Sequence, residues 1–297
     1  MRRLCTILTA LLLVTSGVTL AQKPTEQEEL ALAAMEGLMA QPPERALPIV
    51  KKVLAGQQTT LIKQRALFVL SQIDTPEAGE ILLQTSRSTD PALRREAIRS
   101  IGIGGNDKSL AGLLEIYKTG DDEVKKEVLE AWMIAGRKNE VYQAALNAKS
   151  EEEASEAIHM LSVMGAVDEL RKLGERPNAS GKLVEAYAIS GDLQSLRKIA
   201  EGNGNLEVRT EAVQKIGIIS SDAARTALHD IYARATEKQI KDAALQGMLI
   251  ADDEKGVLAL YRAATTPEEK RTLLRTLTMM DGDAALEAID AALEDKK

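Results

Sequence analysis

"DPALRREAIRSIGIGGNDKSLAGLLEIYKTG", residues 90–120, holds two apolar stripes separated by a break. Ala97, Ile98 and Ile101 recur at helical spacing in its first half, and Leu110, Leu113, Leu114 and Ile116 in its second. Spacings of three and four place such residues on one face of an α-helix. Gly104, Gly105 and Asn106 stand between the stripes, where a helix end needs backbone freedom, and Asp107 is placed to cap the helix that follows. The stretch therefore reads as a helix, a tight break and a second helix.

Working outward, the centre of the first helix recurs at Ala66, Ala97, Val128, Ala157, Leu183, Ala212, Ala244 and Leu273, at intervals of 26 to 32 residues. Four positions after each anchor stands a large residue: Leu70, Ile101, Trp132, Leu161, Tyr187, Ile216, Met248 and Leu277. A period of this length is the signature of stacked supersecondary units, none of which can bury its apolar face alone. Helix starts carry an independent mark. Thr59, Asp90, Asp121, Ser150, Asn205, Thr236 and Thr266 can each offer a side-chain oxygen to exposed N–H groups, and Ser150 with Glu153, Thr236 with Gln239 and Thr266 with Glu269 fit a capping box. Pro91 and Pro267 fall at the first helical position, where a missing N–H costs nothing.

The composition agrees with an all-α fold. Apolar residues form 44% of the chain and aromatic residues only 2%, so the core is built from Leu, Ile, Val, Ala and Met, whereas strands favour β-branched and aromatic residues. The start of the chain reads as an address. Arg2 and Arg3 precede an apolar run from Ile7, and Ala21 offers a small-residue cleavage position, so residues 1–21 are expected to be a signal peptide and Gln22 the mature terminus. Cys5, the only cysteine, precedes the apolar run rather than standing at the cleavage point, which argues against a lipid anchor. A periplasmic or secreted protein without thiols is expected, and disulfides and thiolate metal sites are excluded from the mature chain. With 38 Lys and Arg against 45 Asp and Glu, the net charge of −7 grows more negative on loss of Arg2 and Arg3, which disfavours nucleic acid as a partner.

"DPALRREAIRSIGIGGND" (90–107) and "NLEVRTEAVQKIGIISSD" (205–222) resemble the HEAT-repeat family, particularly the phycobilisome-lyase-like HEAT repeats of bacterial proteins. Both carry a polar cap, a basic residue, alanine, an apolar pair, glycine and a second cap. The resemblance implies a right-handed α-solenoid of stacked antiparallel helix pairs. It runs from residue 59 to the C-terminus as about eight pairs, preceded over residues 22–58 by a divergent pair, "EQEELALAAMEGLMA" and "PPERALPIVKKVLAG", that caps the array. The shortened unit "NASGKLVEAYAISGDLQSLRKIAEG" (178–202) departs from the pattern, with Ser180 in place of the basic residue. That basic residue recurs elsewhere as Lys63, Arg94, Lys125, Arg209, Lys241 and Lys270, and in HEAT arrays it lies near acidic or carbonyl groups of the next unit, so a structural ladder is expected in preference to an anion-binding row. Tyr117 and Tyr232, each 20 residues past an anchor, are expected to pack between units.

Catalytic chemistry is thinly represented. His159 and His229, the only histidines, fall in different units, and neither is followed by the glutamate of the HEAT-type hydroxylases. "SIGIGGND" follows a helix rather than the strand a dinucleotide site requires, and Asn178-Ala179-Ser180 matches a glycosylation triplet too common to weigh. No cofactor, metal or enzymatic activity is expected. One further repetition points to binding: "LRKL" at 170–173 returns as "LRKI" at 196–199 and "LHDI" at 228–231. The outer members suit a core. The inner ones, Arg171, Lys172, Arg197, Lys198 and His229, are expected to project from second helices, on the concave side that the resemblance assigns them, as a docking strip for an acidic protein or peptide. A scaffold or adaptor is the function this favours. The alternatives are an accessory subunit binding envelope polysaccharide or peptidoglycan and, less favoured, a lyase-like enzyme.

Overall fold

The computed structural model describes residues 23–176, 180–280 and 282–294; the expected signal peptide and the glycosylation triplet's first two residues lie outside them. Among the described residues the chain forms eighteen α-helices and one short 3-10 turn, with no strand. Helices α1 (Glu26–Leu38) and α2 (Pro43–Ala55) lead into eight further pairs: α3 (Thr60–Ser71) and α4 (Pro76–Thr85), α5 (Pro91–Gly104) and α6 (Asp107–Thr119), α7 (Asp122–Ile134) and α8 (Lys138–Leu146), α9 (Glu151–Val163) and α10 (Val167–Gly174), α11 (Val184–Ile189) and α12 (Leu193–Ala200), α13 (Leu206–Ile216) and α14 (Asp222–Arg234), α15 (Lys238–Ile250) and α16 (Glu254–Ala263), and α17 (Pro267–Leu277) and α18 (Asp283–Glu294). The result is an all-helical solenoid with a continuous core. No helix of the described residues is long and apolar enough to cross a membrane.

The unit at residues 90–120 shows why the pattern folds this way. Asp90 accepts the N–H groups of Ala92 and Leu93 at 2.9 and 3.3 Å, and Pro91 opens α5. Gly105 ends it with φ +64°, a conformation most residues avoid, and donates its N–H to Ile101. Asn106, rather than Asp107, then caps α6 by accepting the Ser109 N–H at 3.1 Å. Ala97, Ile98, Ile101, Leu110, Leu113 and Ile116 are buried as the spacing requires, but Leu114 is 44% exposed. All eight anchors and all eight large residues four positions later are buried. Each leucine-sized side chain so removed from water contributes about 1.5–3 kcal/mol.

Five expected caps accept a backbone N–H: Asp90, Asp121, Ser150, Asn205 and Thr266. Thr59 stands at its helix start without such a bond, and Thr236 turns its hydroxyl to Glu237, which takes the cap position of α15. The capping boxes at Ser150 and Thr266 form only half. The N–H groups of Glu153 and Glu269 reach the hydroxyls, but their carboxylates are drawn to neighbouring units. Tyr117 donates to Glu153 at 2.9 Å beside Lys125 at 3.3 Å, and Tyr232 donates to Glu269 at 3.1 Å beside Lys241 at 3.4 Å. Arg94 meets Glu127 at 3.0 and 3.2 Å, and Arg209 meets Glu237 at 3.0 Å. The recurring basic residue is thus a ladder between units at these four positions.

First helices lie closer to one another than second helices do along much of the array. Glycine makes this approach possible: a Cβ on Gly102 would meet the Ala131 backbone, and one on Gly217 the Gly247 backbone, both at less than a normal contact.

Candidate functional site

The repeated "LRKL" motif sits on α10, α12 and α14, where Leu170, Leu173, Leu196, Leu228 and Ile231 are buried and Ile199 is partly so. The residues between them diverge in role. Arg171 places Nε and Nη2 at 2.8 and 2.6 Å from the two oxygens of Asp192, a buried carboxylate that caps α12. Ser195 donates its hydroxyl to the same carboxylate at 2.6 Å. Burial opposes ionisation of Asp192, but these bonds outweigh it and hold its pKa below the ordinary aspartate value. Arg197 bonds to Glu201 at 2.8 Å and approaches Asp230 of α14 at 3.8 Å. His229 Nε2 lies 3.1 Å from Asp253, which caps α16.

Arg171, Arg197 and His229 therefore tie each second helix to an acid of the next unit. Of the five residues expected to form a docking strip, Lys172 and Lys198 are exposed and without a partner among the described residues, while the other three are matched. The sequence concealed this because the matching acids sit 21 to 33 residues downstream and belong to cap positions and the flank of α14.

Lys198 borders an open hollow of about 710 Å³ between α10, α12 and the start of α13, together with Arg171, Tyr187, Ser195 and Arg209. Gly202, Gly204 and Asn205 form part of its rim, and Glu175 is a carboxylate on its edge. Arg209 is held by the Ala200 carbonyl at 3.2 Å and by Glu237. Tyr187 donates to the Leu170 carbonyl at 3.2 Å, and burial together with the nearby Asp192 charge pushes its pKa up to about 12. With Arg171 and Arg209 matched to acids, Lys198 supplies the uncommitted charge. The hollow can hold an anionic group against one mobile ammonium and two fixed guanidiniums. Among the described residues no cluster of His, Cys, Asp and Glu is arranged to hold a metal ion.

A second surface escaped the reading of the sequence. Six positions after six of the anchors stand Ile134, Val163, Ile189, Ile218, Ile250 and Met279, all substantially exposed at the ends of first helices. They recur from unit to unit along the first helices. His159 is exposed beside Ile134 and Val163, in a hollow of about 330 Å³ that Arg95 and Arg99 also border. The signal was available: the same period that located the anchors also places an apolar residue six positions on.

Residues 47–133 match the family model of HEAT repeats. No curated protein matches the chain. Among solved structures, human deoxyhypusine hydroxylase in complex with glycerol aligns at 16% identity and a TM-score of 0.34, covering 76% of this chain and 99% of that one. The complex of CpcE and CpcF of phycocyanin lyase from Nostoc sp. PCC7120 aligns at 19% identity and a TM-score of 0.32, covering 87% and 96% respectively. The match to HEAT repeats thus spans residues 47–133, and the helix pairs on either side of them extend the same solenoid.

Proposed function

We propose that this protein is an exported, non-enzymatic scaffold that binds an acidic segment of a protein or peptide partner. The observation that carries the reading is the unpartnered ammonium of Lys198 beside a hollow whose other cations, Arg171 and Arg209, are fixed in place. Fixed guanidiniums lose little freedom when an anion arrives, which favours recognition of a carboxylate. Lys172, exposed on α10, adds a second cation on the same run of second helices.

Fluorescein-labelled hexaglutamate titrated into the mature protein tests this directly. Binding is expected to weaken with salt, and Lys198→Glu is expected to weaken it several-fold, because exposed charges act through screened attraction. Lys108→Glu, on α6, is the control. Binding that ignores both salt and Lys198→Glu overturns the proposal. A pull-down from envelope extract at low and high salt then supplies the natural partner.

A further inference from the structure

The second helices α6 and α8 belong to adjacent units, yet they stand apart, leaving a hollow of about 360 Å³ between them. Its apolar part is formed by Leu114, Tyr117, Trp132 and Ala144. Leu114 belongs to the apolar stripe of α6 but is 44% exposed here, and Tyr117 and Trp132 pack with ring centroids 5.3 Å apart. Trp132 is almost wholly buried and its indole N–H has no partner. The volume lies at the small end of the range for ligand pockets, which are apolar with a few placed polar groups.

The polar groups here are ordered. Asn139, Gln143 and Asn147 border the hollow at successive intervals of four, so they share one face of α8 and its end. Asn147 donates to the Gln143 carbonyl at 2.7 Å, whereas the amide N–H groups of Asn139 and Gln143 have no acceptor among the described residues. Four residues of helix advance about 6 Å, and two residues of extended chain advance about 6.6 Å. An extended peptide lying along α8 therefore presents a same-side backbone group near each amide. Carboxamides both donate and accept, as a peptide backbone does.

The charges at the mouth indicate what flanks the apolar contact. Glu153 is already engaged by Tyr117 and Lys125, and Lys118 pairs with Glu115. Lys149 has no partner for its ammonium, and Glu140 is the remaining carboxylate. With Lys118 matched to Glu115 and Lys125 to Glu153, Lys149 is the ammonium left to meet an incoming carboxylate.

We infer that the α6–α8 hollow is a second binding site, one that takes an extended peptide, seating a bulky apolar side chain against Leu114, Tyr117 and Trp132 while Asn139 and Gln143 bond its backbone. An acidic residue near the apolar one meets the Lys149 ammonium. The site is separate from the Lys198 hollow and does not depend on it.

Trp132 is the only tryptophan in the chain, so its indole N–H gives a single nuclear magnetic resonance signal at the site. The acetylated, amidated pentapeptide DAFAD titrated into the whole mature protein is expected to shift that signal saturably, with DAAAD at least fivefold weaker. Leu114→Glu and Gln143→Ala are expected to weaken DAFAD at least fivefold while leaving the circular dichroism spectrum unchanged, since both positions are exposed. Lys198→Glu is expected to leave it unaltered, which separates failure here from failure of the hexaglutamate test. No saturable shift, equal shifts from DAFAD and DAAAD, or retained binding in both folded variants overturns the inference. So does tighter binding by tri-N-acetylchitotriose, or a shift that follows protein concentration without peptide, as these identify a saccharide or a second copy as the occupant.

Discussion

Arg171 grips Asp192 with two parallel hydrogen bonds, at 2.8 and 2.6 Å, across the boundary between α10 and α12. One carboxylate thereby caps a helix, receives the Ser195 hydroxyl and fastens one unit to the next. Replacing Asp192 by alanine removes the cap and leaves Arg171 unmatched. The expected loss is about 1–3 kcal/mol in urea unfolding, the range for a cap joined to charged hydrogen bonds. Arg171→Ala is expected to cost a comparable amount, whereas Lys198→Ala should fall within about 0.5 kcal/mol.

Acid should act through the same carboxylates. Asp192 is held below its ordinary 3.8; burial opposes its ionisation, but Arg171 and Ser195 prevail. Glu153 is held below 4.5; burial again opposes, and bonds from the Lys149 N–H, Tyr117 and Lys125 prevail. A carboxylate with a depressed folded pKa contributes stability above its unfolded value and loses it as pH falls through the folded one. The melting temperature is expected to decline below about pH 4, and Asp192→Asn should flatten part of that decline. A profile identical in wild type and variant would remove Asp192 from the account.

At the alkaline end, burial raises Tyr117, Tyr187 and Tyr232 above the usual tyrosine value of 10, with Glu153, Asp192 and Glu269 adding to it in turn. The folded protein keeps these phenols protonated, so stability falls as pH rises past about 10, where an unfolded chain ionises them. Absorbance at 295 nm is expected to show the three ionising late and together with loss of helix.

Glycine variants should separate two kinds of constraint. Gly217→Ala pushes a Cβ into the Gly247 backbone, forcing α13 from α15, and is expected to cost about 1–3 kcal/mol or more as an overpacked contact. At Gly105 the space is open but φ is +64°, so alanine there should cost about 1–2 kcal/mol of backbone strain. Only the first should alter the spacing of the stack in small-angle scattering.

Mass spectrometry of the native protein is expected to give a mature terminus near Gln22. A soluble cytoplasmic form beginning at Met1 would remove the proposal of export.

The repeat was legible because burial repeats with it: Ala97 and Ile101 in one unit predict the surroundings of Ala212 and Ile216 in another. Caps were legible where the hydroxyl or carboxylate had no better partner, as at Asp90. They failed at Thr236, whose hydroxyl turns to the adjacent Glu237. Leu114 was read as core because spacing identifies a face but not whether a neighbouring helix covers it. Arg171 and Lys172 stand side by side in "LRKL", and they part because Asp192 folds back against the first of them. Such a partner comes from tertiary proximity, which local pattern does not encode.

The ladder also has a direction. Wherever a side-chain bond from a basic residue crosses between units to a nearly buried carboxylate, the base precedes the acid in the chain: Arg94 before Glu127, Lys125 before Glu153, Arg171 before Asp192, and His229 before Asp253. A chain emerging from its amino end thus completes each unit with a base still bathed in water, and the acid is covered only when a waiting base is at hand. Shortening the protein from its carboxyl end releases bases that water readily accommodates. Shortening it from the amino end takes away the base set against each acid and opens that acid to water at the new end of the stack.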